Sequence, residues 1–523
     1  MGDCSVDGPQ GPTIKSVEEM AGRFYAEMLT LVPVWKQRLA DDPGQLEPLE
    51  IEVQTAFARG ADLLVAGLIA VVMKQAEFDA ACEQTRADFQ QPLARGRKRT
   101  ISVRLLGGLV MWVASLYCAP LRKSEGKVAG LHVELAQFGF GKGVTPGLQS
   151  RVARQAALCP SLELARQELL RAGVKLNVKT VRRISYQCGE GLLQLRKHEL
   201  LLWRAEKLPA GSELRGKRVS VQIDGGRTQI RGPLRPKPPQ TEKTDADGLV
   251  IENAPGRSKK RPAQTFDADW REPKLVTIFV HNEHGRMEKH SQATIDGTFL
   301  GPDAISEVVA MHLHRLGAAE ALSVTFVADG APWIWDRVAK IVSLAKLKNV
   351  KTYQVLDNCH AAHHISLALA ALGLNDKQRM ALYRELRTSL RNGHWRHVVE
   401  ELSSLVADEP ENEKFKTELA YLRKHGEAGR LSYAHFRGLG IPLGSGAIES
   451  SIRRVINLRL KSKGMFWGEP QAECMLQIRA QVISNRWDER LQAMRELSRR
   501  DSQTDWRWEP QNMSVKSEPA IAT

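Results

Sequence analysis

The chain has 523 residues, 42% hydrophobic and 26% charged, enough for roughly three or four domains with sizeable cores. Lys and Arg outnumber Asp and Glu by 75 to 60, and the net charge of +15 favours a polyanionic partner such as nucleic acid over an acidic one. The 7 cysteines, scattered without a C-x-x-C pair, support neither a disulfide framework nor a zinc ribbon and suit a reducing cytoplasm.

The opening "MGDCSVDG" has no basic n-region, so no export signal is expected. Residues 15–93 carry helical periodicity. Within them "LLVAGLIAVVM" (63–73) is too short to span a bilayer and reads as a buried helix, so no membrane partner is expected. The basic stretch "RGRKRT" (95–100) reads as a boundary before the β-prone run "ISVRLLGGLVMWVASLYC". Two amphipathic segments follow in 160–188, separated by Gly173, which suits a helix C′ position, and Asn177, which suits an N-cap. They read as a helix-turn-helix. Val181, Ile184 and Cys188 share one face of its second helix, leaving Lys179, Arg182, Arg183 and Tyr186 for a DNA groove. A helical hairpin with a basic outer face is also common in domains that bind nothing.

From 216 the period changes to that of strands. "KRVSVQID", "KLVTIFVHN" and "RMEKHSQATID" read as three strands, the last two joined by "EHG", with a Pro-, Lys- and Arg-rich insertion at 231–265 expected to be mobile or ordered only on DNA. A helix, the strand "LSVTFVAD", a second helix from Trp333, the strand "VKTYQVLD" and a third helix from about 358 complete a βββαβαβα order. That order is the layout of an RNase H-like core: a mixed sheet flanked by helices. The expected organisation is therefore multidomain α and α/β, with an N-terminal helical region (1–100), a β-unit plus helix-turn-helix DNA-binding region (101–215), the first part of the core (216–374), an all-helical insertion (375–440), the core's C-terminal helices (441–490) and a disordered tail (491–523).

Asp224 closes the first core strand and Asp329 the fourth, which puts two carboxylates side by side at one sheet edge. Like charges so placed repel unless a divalent cation neutralises them. An Asp before Gly is most often a turn residue, and Glu449 in "PLGSGAIES" could be a first-turn helix stabiliser, but the three together form the hard-oxygen set that Mg²⁺ or Mn²⁺ takes. The second "IDG", with Asp296, would leave too few strands before Asp329, so Asp224 is preferred. His360 and His364 stand four apart in "LDNCHAAHH" and raise a zinc alternative that lacks further ligands. Asp357 as an N-cap, with His360 near the acidic edge, is the preferred reading. Arg227, Arg453, Arg454, Arg459, Lys461 and Lys463 are candidates to hold phosphates near the acids, and Trp333, Trp335 and Trp467 either pack in the core or stack on a base.

The stretches "IDGGRTQIRG", "DWREPKLVTIF", "VADGAPWIW", "LDNCHAAHH", "PLGSGAIES" and "RLKSKGMFWGEPQAECMLQIRAQVISNRWDE" resemble, in order, those of bacterial insertion-sequence DDE transposases of the Kra type, and more distantly the mutator-like enzymes. The resemblance implies Asp224, Asp329 and Glu449 as a catalytic triad. It also implies a helical insertion before the Glu and a D-x-x-H signature in Asp357 and His360. The activity it implies is transposition: binding of an element's terminal repeats, then nicking and strand transfer on double-stranded DNA with two Mg²⁺ or Mn²⁺ ions. A homo-oligomer, at least a dimer on DNA, and a cytoplasmic, nucleoid-associated location go with it. Relatives often carry a cysteine-rich zinc ribbon ahead of the helix-turn-helix. Here only Cys118 lies in that region, so a bare β-unit is expected. The competing classes are a non-catalytic DNA-binding regulator and a structure-selective nuclease on the same fold.

Overall fold

A computed structural model describes residues 4–89, 93–120, 130–141, 143–235, 265–405, 412–462 and 464–500. The short β1 (Cys4–Ser5) precedes a helical hairpin of α1 (Val17–Asp41) and α2 (Leu46–Val72), followed by α3 (Ala76–Ala87). Ser16 caps α1 by accepting from the Glu19 amide at 3.1 Å, satisfying one of the free donors at a helix start. Strands β2 (Leu93–Arg104) and β3 (Val110–Pro120) pair antiparallel in a sheet ordered β1–β3–β2. The basic stretch expected as a boundary lies inside β2, with a bulge between Arg95 and Lys98. The physical reason is that β2 is an edge strand, where charged side chains project into solvent and guard an open edge. The apolar run 63–73 is likewise only half buried: Leu63, Ala66, Ile69 and Ala70 enter the core, while Val65 and Leu68 face outward. Among the described residues, Pro43–Val72 is the helical stretch long and apolar enough to cross a membrane by length and composition alone.

After β4 (Leu131–His132) and α4 (Val133–Gln137), three helices make the expected helix-turn-helix region: α5 (Pro146–Leu158), α6 (Leu162–Arg171) and α7 (Val178–Arg204). Ser161 and Asn177 cap the last two through the Leu164 and Thr180 amides, and Gly173 in the turn between them has φ +79. Helix α7 runs 27 residues, well past the second segment of the expected helical hairpin, and its buried face joins one continuous core with Ile448, Ile456, Ile478 and Trp487. Residue 215 is thus a change of periodicity without being a gap in packing.

The central sheet comprises β5 (Arg218–Gly225), β8 (Lys274–Val280), β9 (Thr294–Thr298), β10 (Ser323–Ala328) and β11 (Lys351–Leu356), in the order β11–β10–β5–β8–β9. Strand β10 is parallel to both β5 and β11, and β8 is antiparallel to its neighbours. The central strands are buried on both faces, and where Ser220, Gln222, Thr277 and Thr325 interrupt their Val, Ile, Leu and Phe residues the polar side chains are buried too. Between β5 and β8 a small hairpin of β6 (Thr228–Gly232) and β7 (Asp267–Arg271) closes the base of the insertion, most of which falls outside the described residues. The turn at "EHG" forms, with Asn282 N donating to Arg286 O, but the third strand begins only at Thr294 because the polar residues 288–293 offer no alternating face.

Helices α8 (Pro302–Arg315), α9 (Pro332–Leu344) and α10 (Asn358–Ala370) follow their strands, and the insertion is helical as expected: α11 (Asp376–Arg391), α12 (Trp395–Ser404), α13 (Glu413–Glu427) and α14 (Tyr433–Gly438). The chain returns through α15 (Gly446–Ser451), a π-helical segment (Ile452–Asn457), α16 (Glu469–Ile483) and α17 (Trp487–Arg500). Residues 491–500, expected to begin a disordered tail, instead continue α17, because Leu491 and Met494 are buried against the core; the rest of that tail, from 501 on, lies outside the described residues.

Candidate active site

The parallel ladder between β5 and β10 ends at Gln222↔Val327, and Asp224 and Asp329 each lie two residues further along the same edge. Side chains two apart on a strand share a face, so Gln222 and Asp224 both point to the side covered by α15. Asp224 has a pKa raised to about 6, first by burial and then by the neighbouring Asp329 carboxylate. His360 pulls in the other direction, which places the imidazole within electrostatic reach of Asp224. The same ring has its Nε2 4.0 Å from Glu449 Oε1. The arrangement is therefore a carboxylate pair at the sheet edge, an imidazole beside it, and a third carboxylate beyond the imidazole. Glu449 stands 57% exposed, and among the described residues no three His, Cys, Asp or Glu groups are close enough together to hold a metal ion.

Asp357 is 2% exposed and works inside the protein. One carboxylate oxygen caps α10 by accepting from the His360 amide at 2.9 Å, and the other accepts from the Ser445 amide and, at 2.7 Å, from its hydroxyl. Ser445 Oγ in turn lies 3.3 Å from Glu449 Oε1. The D-x-x-H pair therefore joins the start of α10 to the loop that launches Glu449. A second brace was not read from the sequence: buried Gln222 donates to Gly444 O and accepts from Ile448 N, both at 3.0 Å. Its signal was present, since a glutamine amid "VSVQID" is a polar group in a strand that must be buried on both faces. Thr277 Oγ1, on β8, adds a bond to Ser451 Oγ at 2.9 Å.

The glycines around the edge permit close approach. A Cβ on Gly226 would lie 2.4 Å from Ile456, so only glycine lets the π-helical segment press on the strand exit. A Cβ on Gly330 would strike the ring and hydroxyl of Tyr421 at 2.1 Å, which shows how the helical insertion reaches the site. Tyr421, on α13, stacks on His364 with ring centroids 3.5 Å apart, and Glu418 bonds the far side of that imidazole. Burial, and then Asp329 and Asp357, raise the pKa of the Tyr421 phenol. His360 and His364 thus have separate partners, Glu449 and Glu418.

The predicted cations divide in two. Lys179, Arg182 and Arg183 are exposed on α7, with Tyr186 half-buried beside them; Arg227, Arg453, Arg454 and Lys461 are also exposed, with Lys461 Nζ 5.9 Å from the Trp270 ring. Lys463 lies outside the described residues. Arg459 is a correction: at 2% exposure its Nε donates to Ala156 O at 3.1 Å and its guanidinium covers Trp467 at 5.0 Å. The π-helical segment turns that part of the chain inward, and the side chain serves the packing of α5 instead of a phosphate. Buried Arg479 supports the same segment, donating to Val455 O at 2.7 Å and also to Arg454 O and Ala157 O. A π-helix shifts its backbone bonds and leaves such carbonyls needing donors.

Two of the three tryptophans are core residues and unavailable to a base. Trp335 is 6% exposed, donates from Nε1 to Asp329 O at 2.7 Å and lies under Arg430, so it braces the backbone of the second acid. Trp467, also 6% exposed, bonds through its backbone to Gln229 and Arg231 of β6. Trp333 remains half-buried, with Lys274 Nζ 4.2 Å from its ring. Asp296, in the second "IDG", is 1% exposed and bound by Arg196 and His312, away from the acidic pair. No family model matches the chain, and no curated protein or solved structure matches it either.

Proposed function

We propose that the protein is a DNA transposase of the DDE class, binding the terminal inverted repeats of a mobile element and carrying out strand nicking and strand transfer by in-line phosphoryl transfer. The observation that carries the reading is the Asp224–Asp329 pair: two carboxylates at adjoining strand ends, with the pKa of Asp224 pushed up to about 6. A sheet whose first strand in chain order is central, with the second antiparallel beside it, is the arrangement of an RNase H-like core and supports the same reading. So do the ordered motifs that resemble the Kra-type enzymes.

The donor set fits Mg²⁺ or Mn²⁺, because hard oxygens that repel one another are relieved by a divalent cation. Asp224 and Asp329 would hold it; Glu449, the third carboxylate that the resemblance implies, stands apart from the pair behind His360 and would have to move in to join them. When bound, such ions supply activation of a water or a DNA 3′-hydroxyl and stabilise charge on the leaving oxygen. Gln222, Asp357 and Ser445 fix the approach of the helix that bears Glu449, with Ser445 Oγ 3.3 Å and His360 Nε2 4.0 Å from the Glu449 carboxylate. Arg453 and Arg454, exposed one turn beyond, hold backbone phosphates, and Lys179, Arg182 and Arg183 read a groove from α7.

The test is cleavage of a labelled duplex taken from the DNA flanking the gene, in Mg²⁺, with binding measured on the same preparation. Asp224→Asn, Asp329→Asn and Glu449→Gln should each bind but not cleave. Cleavage by both Asp variants at the wild-type rate would refute the assignment. Cleavage by the Glu449 variant alone would move the third ligand elsewhere.

A further inference from the structure

The α1–α2 hairpin has a second apolar face that covers nothing. Tyr25, Leu29 and Val32 on α1 are 65%, 58% and 52% exposed, and Phe57, Val65 and Leu68 on α2 are 55%, 42% and 54% exposed. Their spacings, i, i+4, i+7 on α1 and i, i+8, i+11 on α2, are those of a helical packing stripe. Gly22 and Ala26 on one helix and Ala61 on the other are small exposed positions beside them, which lets a partner helix approach closely, while exposed Arg59 is paired with Glu27 across the two helices. Monomeric proteins rarely leave so continuous an apolar surface in water.

What could cover this face is limited by how the hairpin is held. The opposite side of α2 packs Leu63, Ala66, Ile69 and Ala70 against Val103, Met111 and Val113 of the sheet. Asp62, in the middle of the helix, is 4% exposed and accepts from the Gly107 and Leu109 amides at 2.9 and 3.0 Å. A helix fixed side-on to a sheet, with a carboxylate bound at its centre, is not free to enter a bilayer. The face is flat and two helices wide, so the complementary surface is one of the same kind. Six half-exposed large side chains and the small residues between them amount to roughly 600–800 Å² per partner, near the share of a stable interface.

We propose that this face is the self-association surface of the protein, pairing with the same face of a second copy about a two-fold axis to form a four-helix arrangement. The pairing gives the expected dimer a location. It also has a consequence for DNA reading, because α2 touches the helix-turn-helix: a Cβ on Gly173 would stand 3.1 Å from Thr55. Joining two hairpins would then set the separation of two α7 helices. The association itself does not depend on the transposase reading, since it is tested without DNA.

The experiment is sedimentation equilibrium of the full chain, free of DNA, up to about 50 µM, a range that captures micromolar association. Wild type should have twice the 58.3 kDa chain mass. The Leu29→Lys/Leu68→Lys variant alters only solvent-facing positions. It should keep the wild-type circular dichroism and melting temperature while its dissociation constant rises at least about 100-fold. Mixing it with Leu29→Glu/Leu68→Glu should restore a dimer, which a merely misfolded variant could not do. A monomeric wild type, a dimer unaffected by the lysines, or wild type floating with phosphatidylcholine–phosphatidylglycerol vesicles in place of dimerising would each overturn the proposal. None of these results would alter the cleavage assay.

Discussion

The sequence Ile-Asp-Gly occurs in two strands of the same sheet, closing β5 and lying in the middle of β9, and the two aspartates have opposite surroundings. Burial alone would raise the pKa of Asp296, but Arg196 at 3.0 Å, His312 at 2.8 Å and Gln477 outweigh it and hold this carboxyl well below its usual range. Arg196 also binds Glu473 at 2.7 Å, so the cluster ties α7, β9, α8 and α16 together. Among the described residues Asp224 forms no ion pair of that kind: burial and the Asp329 carboxylate push its pKa up, and the His360 imidazole opposes them only in part. One acid is satisfied by the protein itself. The other keeps a repulsion that a bound cation would relieve, the contrast expected between a structural carboxylate and a ligand-binding one.

The largest expected effect separates them by activity. Asp224→Asn or Asp329→Asn should slow cleavage of the flanking-DNA duplex at least about 10³-fold, or about 4 kcal/mol of barrier. Next in size is stability: Asp296→Ala strands Arg196 without one of its anions and should cost about 3–5 kcal/mol in urea unfolding, as broken buried pairs do. Gln222→Met, similar in shape, removes two bonds to the helix of Glu449. It should cost about 1–3 kcal/mol and lower the cleavage rate with little change in DNA affinity.

The smallest effect has the opposite sign. Because the folded pKa of Asp224 lies above the unfolded one, the folded state holds its proton more tightly, and an ionised Asp224 costs stability as the pH rises from about 4 past about 6. Asp224→Asn should therefore stabilise the metal-free protein by about 1–2 kcal/mol at pH 8, after allowing for solvent at the site, and by nothing near pH 4. Asp296 should behave in reverse, with its contribution present above about pH 4 and lost as the pH falls. A destabilised Asp224→Asn at pH 8 would mean that the two acids are alike after all.

Much of this contrast could be read from local signals. The strand ends at Asp224 and Asp329, the caps at Asn177 and Asp357 and the start of α9 at Pro332 depend on residues within a few positions of each other. What escaped reading depends on partners far away in the chain. Gln222 braces a helix 226 residues later, and Arg479 donates to a carbonyl 322 residues earlier. Arg459 reads as a phosphate ligand because its neighbours are basic and polar, and only the π-helical segment turns it inward, while β6 decides between the core and base-stacking readings of Trp467 in favour of the core. Tyr421 carried no mark in a helical insertion, since its meaning lies in Gly330.

The central claim is that Asp224 and Asp329 form a cation site, and Mn²⁺ titration followed by electron paramagnetic resonance tests it most directly. Wild type should bind Mn²⁺ at pH 7.5, and affinity should fall as the pH drops through about 6, because protons compete for Asp224. Asp224→Asn and Asp329→Asn should each weaken binding at least about 100-fold without unfolding the protein. Equal Mn²⁺ binding by wild type and both variants would contradict the account.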